Sequence, residues 1–96
     1  MRDHYVYFIQ ERCPERKKGR WAVKIGVAQN VDQRLRELQT GNPSELYVRL
    51  KFGPFTKADA FRNENWFHRK FKPHRIRGEW FTARVLGMID INKRSA

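Results

Sequence analysis

Tyr5-Val6-Tyr7-Phe8-Ile9 and Val23-Lys24-Ile25-Gly26-Val27-Ala28 decide how this chain folds. Both stretches are rich in aromatic and β-branched residues, the composition of strands. Successive side chains of a strand point to opposite faces. Tyr5, Tyr7 and Ile9 therefore share one face, and Val6 and Phe8 the other. In the second stretch Val23 and Ile25 occupy one face, while Ala22, Lys24 and Gly26 occupy the other. Small residues on both sides of Lys24 leave room above the sheet, and a strand glycine admits another group at close range. Between the stretches, residues 11–19 carry Pro14, Gly19 and a charge run, which reads as a solvated loop. The two strands thus form a hairpin with a long basic tip.

Outward from the hairpin, Asn30 is a suitable N-cap, because its side chain can accept from a free first-turn amide. Val31, Leu35 and Leu38 follow at helical spacing, and Gly41 stops the helix. A third strand is expected over Leu46–Phe52, ended by Gly53-Pro54. Thr56, with Asp59 three positions on, marks the start of a helix running to about Phe71. Ala58, Phe61, Phe67 and Phe71 are among its apolar positions, and Pro73 ends it. Residues 74–78 read as a basic loop and Glu79-Trp80-Phe81 as a short extended piece. Thr82 is expected to cap a last helix of about ten residues carrying Val85, Leu86, Ile89 and Ile91, with a frayed tail from Asn92. The expected fold is α+β: a small three-stranded antiparallel sheet flanked by helices, in the order β-β-α-β-α-α, within a single domain whose core spans about residues 4–91.

Charge is the strongest bulk signal. Twenty-one Lys and Arg against ten Asp and Glu leave +11 on 96 residues. Such a field attracts polyanions and accelerates their encounter. Nucleic acid is the expected partner, DNA foremost. No basic amphipathic stretch with a clean apolar face argues for a membrane surface. The single cysteine, Cys13, excludes an internal disulfide and a cysteine-type zinc site. With no signal-peptide core and no apolar run near the roughly 20 residues that span a bilayer, an intracellular setting is expected, cytoplasmic or nucleoid-associated.

Several polar residues stand where chemistry can use them. Glu64 and His68 are four apart and share a helix face. A carboxylate near a core edge is costly unless a metal or a base pairs with it; the alternative is an exposed Glu beside an exposed His. Arg34, beside the stripe of Val31, Leu35 and Leu38, either snorkels to solvent or aims at a pocket. Tyr7 alone reads equally as a core-edge aromatic.

Taken in order, Val6-Tyr7-Phe8-Ile9, Val23-Lys24-Ile25-Gly26-Val27-Ala28, Asn30, Arg34, and Glu64 with His68 resemble the GIY-YIG nuclease superfamily. The resemblance is to the branch whose second motif reads Lys-Ile-Gly, in which a Glu-x-x-x-His helix and a late Gly-Glu-Trp-Phe piece (here residues 78–81) also occur. It covers roughly residues 5–82. The resemblance implies that Tyr7 is the general base for a water nucleophile, that Lys24 stands in place of the second Tyr, and that Gly26 is the motif glycine. It implies that Arg34 contacts the scissile phosphate, that Glu64 holds one divalent ion, Mg²⁺ or Mn²⁺, and that His68 assists near the phosphate. Arg34 and the ion would together stabilise the phosphorane. Three departures stand out. Tyr5 replaces the first-motif Gly, Lys24 the second-motif Tyr, and Leu38 a His found in some branches.

These roles suit the residue types. A free phenol has a pKa near 10, so about one part in a thousand is phenolate at pH 7. A nearby cation lowers that value, and Lys24, Arg34 and the metal could each supply one. Mg²⁺ keeps most of its waters and takes few protein ligands. Two basic clusters, Arg16, Lys17, Lys18 and Arg20 in the hairpin tip and Arg69, Lys70, Lys72, Arg75 and Arg77 after the long helix, are expected to clamp the backbone of the nucleic acid without reading sequence. The sequence reading is a metal-dependent endonuclease of phage or mobile-element type acting on DNA. Its alternatives are a non-catalytic nucleic-acid-binding protein that keeps the nuclease fold, and a nuclease subunit of a larger complex. A homodimer or a partner protein would supply specificity.

Overall fold

The computed structural model describes residues 1–89. The hairpin forms as expected. β1 (His4–Arg12) pairs antiparallel with β2 (Ala22–Ala28), with Tyr7 opposite Gly26 and Ile9 opposite Lys24. A loop with one 3-10 turn at Lys18–Arg20 joins them. Its anchor is the buried Glu11, whose carboxylate accepts from Arg16 and from the amide of Ala22.

α1 (Val31–Thr40) begins at Asn30, whose side chain accepts from the Gln33 amide at 3.0 Å. β3 (Glu45–Phe55) pairs with the free side of β1 and runs past its expected end. Gly53-Pro54 does not stop it, since β3 is the outermost strand, where a proline removes no needed ladder bond. The Gly53–Pro54 peptide bond is cis. α2 (Lys57–Lys70) starts at Thr56, whose hydroxyl accepts from the Asp59 amide.

The chain then adds two strands beyond the expected three. β4 (Arg75–Arg77) lies in what reads as a basic loop, and β5 (Trp80–Thr82) pairs with both β4 and β2. The sheet order is β3-β1-β2-β5-β4, antiparallel throughout. Each added strand is three residues long, too short to show a period in sequence. After β5 comes a 3-10 segment, Ala83–Met88, instead of a capped α-helix, and the Thr82 hydroxyl is buried without a partner among the described residues. Ile91 and the tail from Asn92 lie outside the described residues.

The sheet has a helix on each face. Val6, Phe8, Val23, Ile25 and Phe81 meet Ala60, Phe67 and Phe71 of α2 and its C-terminus, with Val85. Tyr7 and Ile9 meet Val31, Leu35 and Leu38 around α1, with Leu46 and Val48. α2 turns a different face inward from the one its large residues suggest. Ala58 and Phe61 are exposed, whereas Ala60 and Glu64 are buried. Ala60, Glu64, Phe67, His68 and Phe71 form the i, i+4, i+7, i+8, i+11 stripe of a helix on a sheet. A carboxylate thus occupies the middle of an apolar stripe. No helix among the described residues is long and apolar enough to cross a membrane.

Candidate active site

β5 covers only the first half of β2. The ladder pairs Ala22, Val23 and Lys24 with Thr82, Phe81 and Trp80 and then ends. The two backbone groups of Ile25 at this margin take other partners. Its N–H donates to the Glu79 carbonyl at 3.0 Å, and its C=O accepts from His68 Nε2 at 3.0 Å. One residue therefore fixes both the turn that carries Glu79 and the ring of His68. Gly78, at φ +53°, makes that turn possible, because a left-handed residue with a Cβ is strained. A carbonyl only accepts, so His68 Nε2 carries a proton, and Nδ1 is the ring nitrogen left to present a lone pair to a ligand.

The charged residues gather around this margin. Glu64, His68 and Glu79 offer donor atoms within 4.8 Å of one another. Glu64 is only 7 % exposed, yet it makes no hydrogen bond or ion pair among the described residues. Its carboxyl is held above its ordinary value of 4.5, chiefly by burial and secondly by the Glu79 charge, against the opposing pull of His68 and Lys24. The Lys24 ammonium bonds Glu79 Oε1 at 3.0 Å and stands 5.7 Å from the centre of the Trp80 ring.

Tyr7 enters from the other face of the sheet. Its ring lies over Gly26, so closely that a Cβ on Gly26 would stand 2.5 Å from the hydroxyl oxygen and 2.6 Å from Cζ. Gly26 is therefore the residue that lets the phenol cross β2. The Tyr7 ring is fully buried, and its hydroxyl has no hydrogen-bond partner among the described residues. Burial raises its pKa above 10.0. The Arg34 guanidinium opposes that rise, and Glu79 and Glu64 add to it. Arg34 thus lowers the phenol as expected, but not enough to offset its burial. Lys24 spends its charge on Glu79, and desolvation outweighs Arg34. Arg34 itself is half-exposed on α1, with Nε 3.3 Å from Glu37. It borders a polar hollow of about 200 Å³ formed with Ala28, Gln29, Asn30, Gln33 and Glu37.

Residues distant in sequence thus converge on one point of the sheet. Residues 4–94 match the T5orf172 domain. The chain belongs to the T5orf172 domain family. The family is phage-associated and stands in the context of GIY-YIG/HNH-type nucleases. Comparison with curated proteins and with solved structures gave no match.

In this T5orf172 domain the two basic clusters differ in place. Arg75 and Arg77 are exposed on β4, the strand joined through Gly78 to Glu79, so they flank the site directly. Arg69, Lys70 and Lys72 are exposed at the end of α2, where the Lys70 ammonium sits 5.0 Å from the centre of the Trp66 ring. Lys17, Lys18 and Arg20 are exposed at the hairpin tip, at the far end of β1 and β2 from Gly26, and Arg16 is tied to Glu11. Sequence reasoning omitted Glu79. Its signal was the Gly-Glu-Trp-Phe piece, which has no metal-ligand spacing to Glu64 and His68 and meets them only through the ladder of β2 with β5.

Proposed function

We propose that this T5orf172 domain is a metal-dependent endonuclease of the GIY-YIG type, in its Lys-Ile-Gly branch, that hydrolyses DNA phosphodiester bonds. The observation that carries the reading is Glu64, a carboxylate buried at the open margin of β2 beside His68 and opposite the Tyr7 hydroxyl, where neither Glu64 nor that hydroxyl has a partner among the described residues. An unpaired buried carboxylate is costly, and a bound cation removes that cost. The donor set fits a divalent ion. When bound, Mg²⁺ or Mn²⁺ would polarise a phosphoryl oxygen and offset the negative charge of Glu64.

The side chains then divide the work. Arg34 reaches the phosphate from the solvent side of α1 and neutralises its non-bridging oxygens as charge builds there. Tyr7, in the phenolate form that Arg34 and a bound cation would favour once the phenol has given its proton to solvent, accepts the proton of the attacking water as the water oxygen bonds phosphorus. The bond from phosphorus to the leaving sugar oxygen breaks, and solvent protonates that oxygen. Before an ion enters, Lys24 holds Glu79 and steadies the margin where the phosphate rests. Arg75 and Arg77, next to the site, and Arg69, Lys70 and Lys72 beyond it bind backbone phosphates, which gives affinity that falls steeply with salt.

The complete burial of Tyr7 favours a second reading, a DNA-binding protein that keeps the fold without cleaving. One experiment separates the two. Supercoiled plasmid is incubated with the protein and Mn²⁺ or Mg²⁺, beside an EDTA control and Glu64→Ala. Nicking by the wild type alone, abolished by EDTA, is expected. Equal nicking by Glu64→Ala refutes the site, and retained binding without nicking selects the second reading.

A further inference from the structure

The geometry of Glu79 and His68 gives both a role toward the ion. We propose that the T5orf172 domain binds its divalent ion through three side chains, Glu64, His68 and Glu79, and that the nitrogen donor makes this a site for Mn²⁺ in preference to Mg²⁺. The proposal rests on the reading of Glu64 as a metal ligand and extends it.

Three observations support it independently. The donor atoms of the three residues already lie within 4.8 Å of one another, a span one ion can bridge with small side-chain movements. Glu64 is buried and takes no hydrogen-bond or ion-pair partner among the described residues, so its oxygens can coordinate. His68 donates Nε2–H to the Ile25 carbonyl at 3.0 Å. That is the posture of a metal-bound histidine, in which one ring nitrogen is fixed by a backbone carbonyl and the other keeps its lone pair. The Ile25 amide meanwhile holds the Glu79 carbonyl, so the same residue positions two of the three donors.

Lys24 fits the scheme as a substitute cation. Without metal its ammonium lies 3.0 Å from Glu79 Oε1, neutralising a carboxylate that would otherwise face Glu64. Entry of the ion exchanges Lys24 for the metal at Glu79 and leaves the ammonium free beside the phosphate. The choice of ion follows from ligand chemistry. Imidazole suits first-row transition ions, whereas Mg²⁺ takes oxygen ligands and gives up its waters reluctantly.

The test is direct binding of Mn²⁺ to DNA-free protein, by calorimetry and by the loss of free-ion electron-resonance signal, in about 0.5 M salt so that distant charges are screened. Glu64→Gln is expected to abolish binding, and Glu79→Gln and His68→Gln each to weaken it about 10-fold or more. Lys24→Met is expected to strengthen it, and Mg²⁺ to compete poorly. A nitrogen-14 coupling in the spin echo of bound Mn²⁺ reports His68 in the wild type and needs no variant. Wild-type affinity in Glu79→Gln, or no nitrogen coupling, overturns the three-donor site while leaving a Glu64 site standing. No binding of Mn²⁺ by the wild type overturns both this proposal and the reading beneath it.

Discussion

Gly26→Ala tests the centre of the arrangement. The added methyl carbon would stand 2.5 Å from the Tyr7 hydroxyl oxygen and 2.6 Å from Cζ, well inside contact distance. The Gly26 backbone is ordinary extended strand, so the substitution introduces no φ strain and the whole effect is steric. Tyr7 cannot retreat cheaply, because its ring is fully buried between β2 and the α1 layer. Overpacking of this kind costs about 1–3 kcal/mol. In a domain this size each kcal/mol lowers Tm by about 4–8 °C, so a loss of about 2 kcal/mol corresponds to about 8–16 °C. Thermal melts and urea titrations measure it. Gly41→Ala is the control, since nothing lies within 4 Å of the Cβ added there. Tyr7→Ala in the Gly26→Ala background should recover part of the lost stability relative to the sum of the single changes, a coupling that a double-mutant cycle reads directly. The same displacement moves the phenol, so plasmid nicking at a temperature where the variant is folded should fall further than DNA affinity. A Gly26→Ala protein that melts with the wild type, with no coupling to Tyr7, would refute the placement of the phenol over β2.

Glu64 gives a pH signature. Its folded pKa lies above the ordinary 4.5, so the folded state binds this proton more tightly than the unfolded state. The charged form is therefore destabilising above the raised value, and the cost fades as pH falls toward 4.5. In EDTA, Glu64→Gln should melt higher than the wild type at pH 8 and equally at pH 4; a lower melting temperature at pH 8 would mean that Glu64 is paired within the fold. Tyr7→Phe removes a buried hydroxyl that has no partner among the described residues, so the urea midpoint should hold or rise by up to about 1 kcal/mol of stability while nicking drops to the EDTA background. A destabilised Tyr7→Phe would show that the hydroxyl is bonded.

Local chemistry made some of the fold readable and hid the rest. Asn30 and Thr56 announce their helices because a cap is a contact between residues three apart. The alternation in Tyr5–Ile9 and Ala22–Gly26 gives the right faces, since both strands sit in the middle of the sheet. The end of β3 was misjudged at Gly53-Pro54 because edge position, which excuses the proline, is a property of the assembled sheet. Arg75–Arg77 carries no apolar residue except the exposed Ile76, so only its pairing with β5 makes it a strand. On α2 the large rings misled: Phe61 points outward, and the buried line runs through Ala60 and Glu64. The placement of Tyr7, Lys24, Glu64 and His68 around one point follows the order of the motifs. The environment of each did not, because burial of the phenol and the pairing of Lys24 with Glu79 depend on where β5 stops.

The brevity of β5 turns a structural accident into an aperture. Had this strand continued two residues further, it would have claimed the Ile25 carbonyl for a ladder bond and roofed the stretch around Gly26 with backbone. His68 would lose its anchor and Glu79 would be carried away from Glu64, with no change in any of the three side chains. Hairpin length is therefore a control on this chemistry separate from residue identity. A domain of this kind could be silenced by lengthening the turn at Gly78 while every motif residue stayed in place, and inspection of the motifs alone would not detect it.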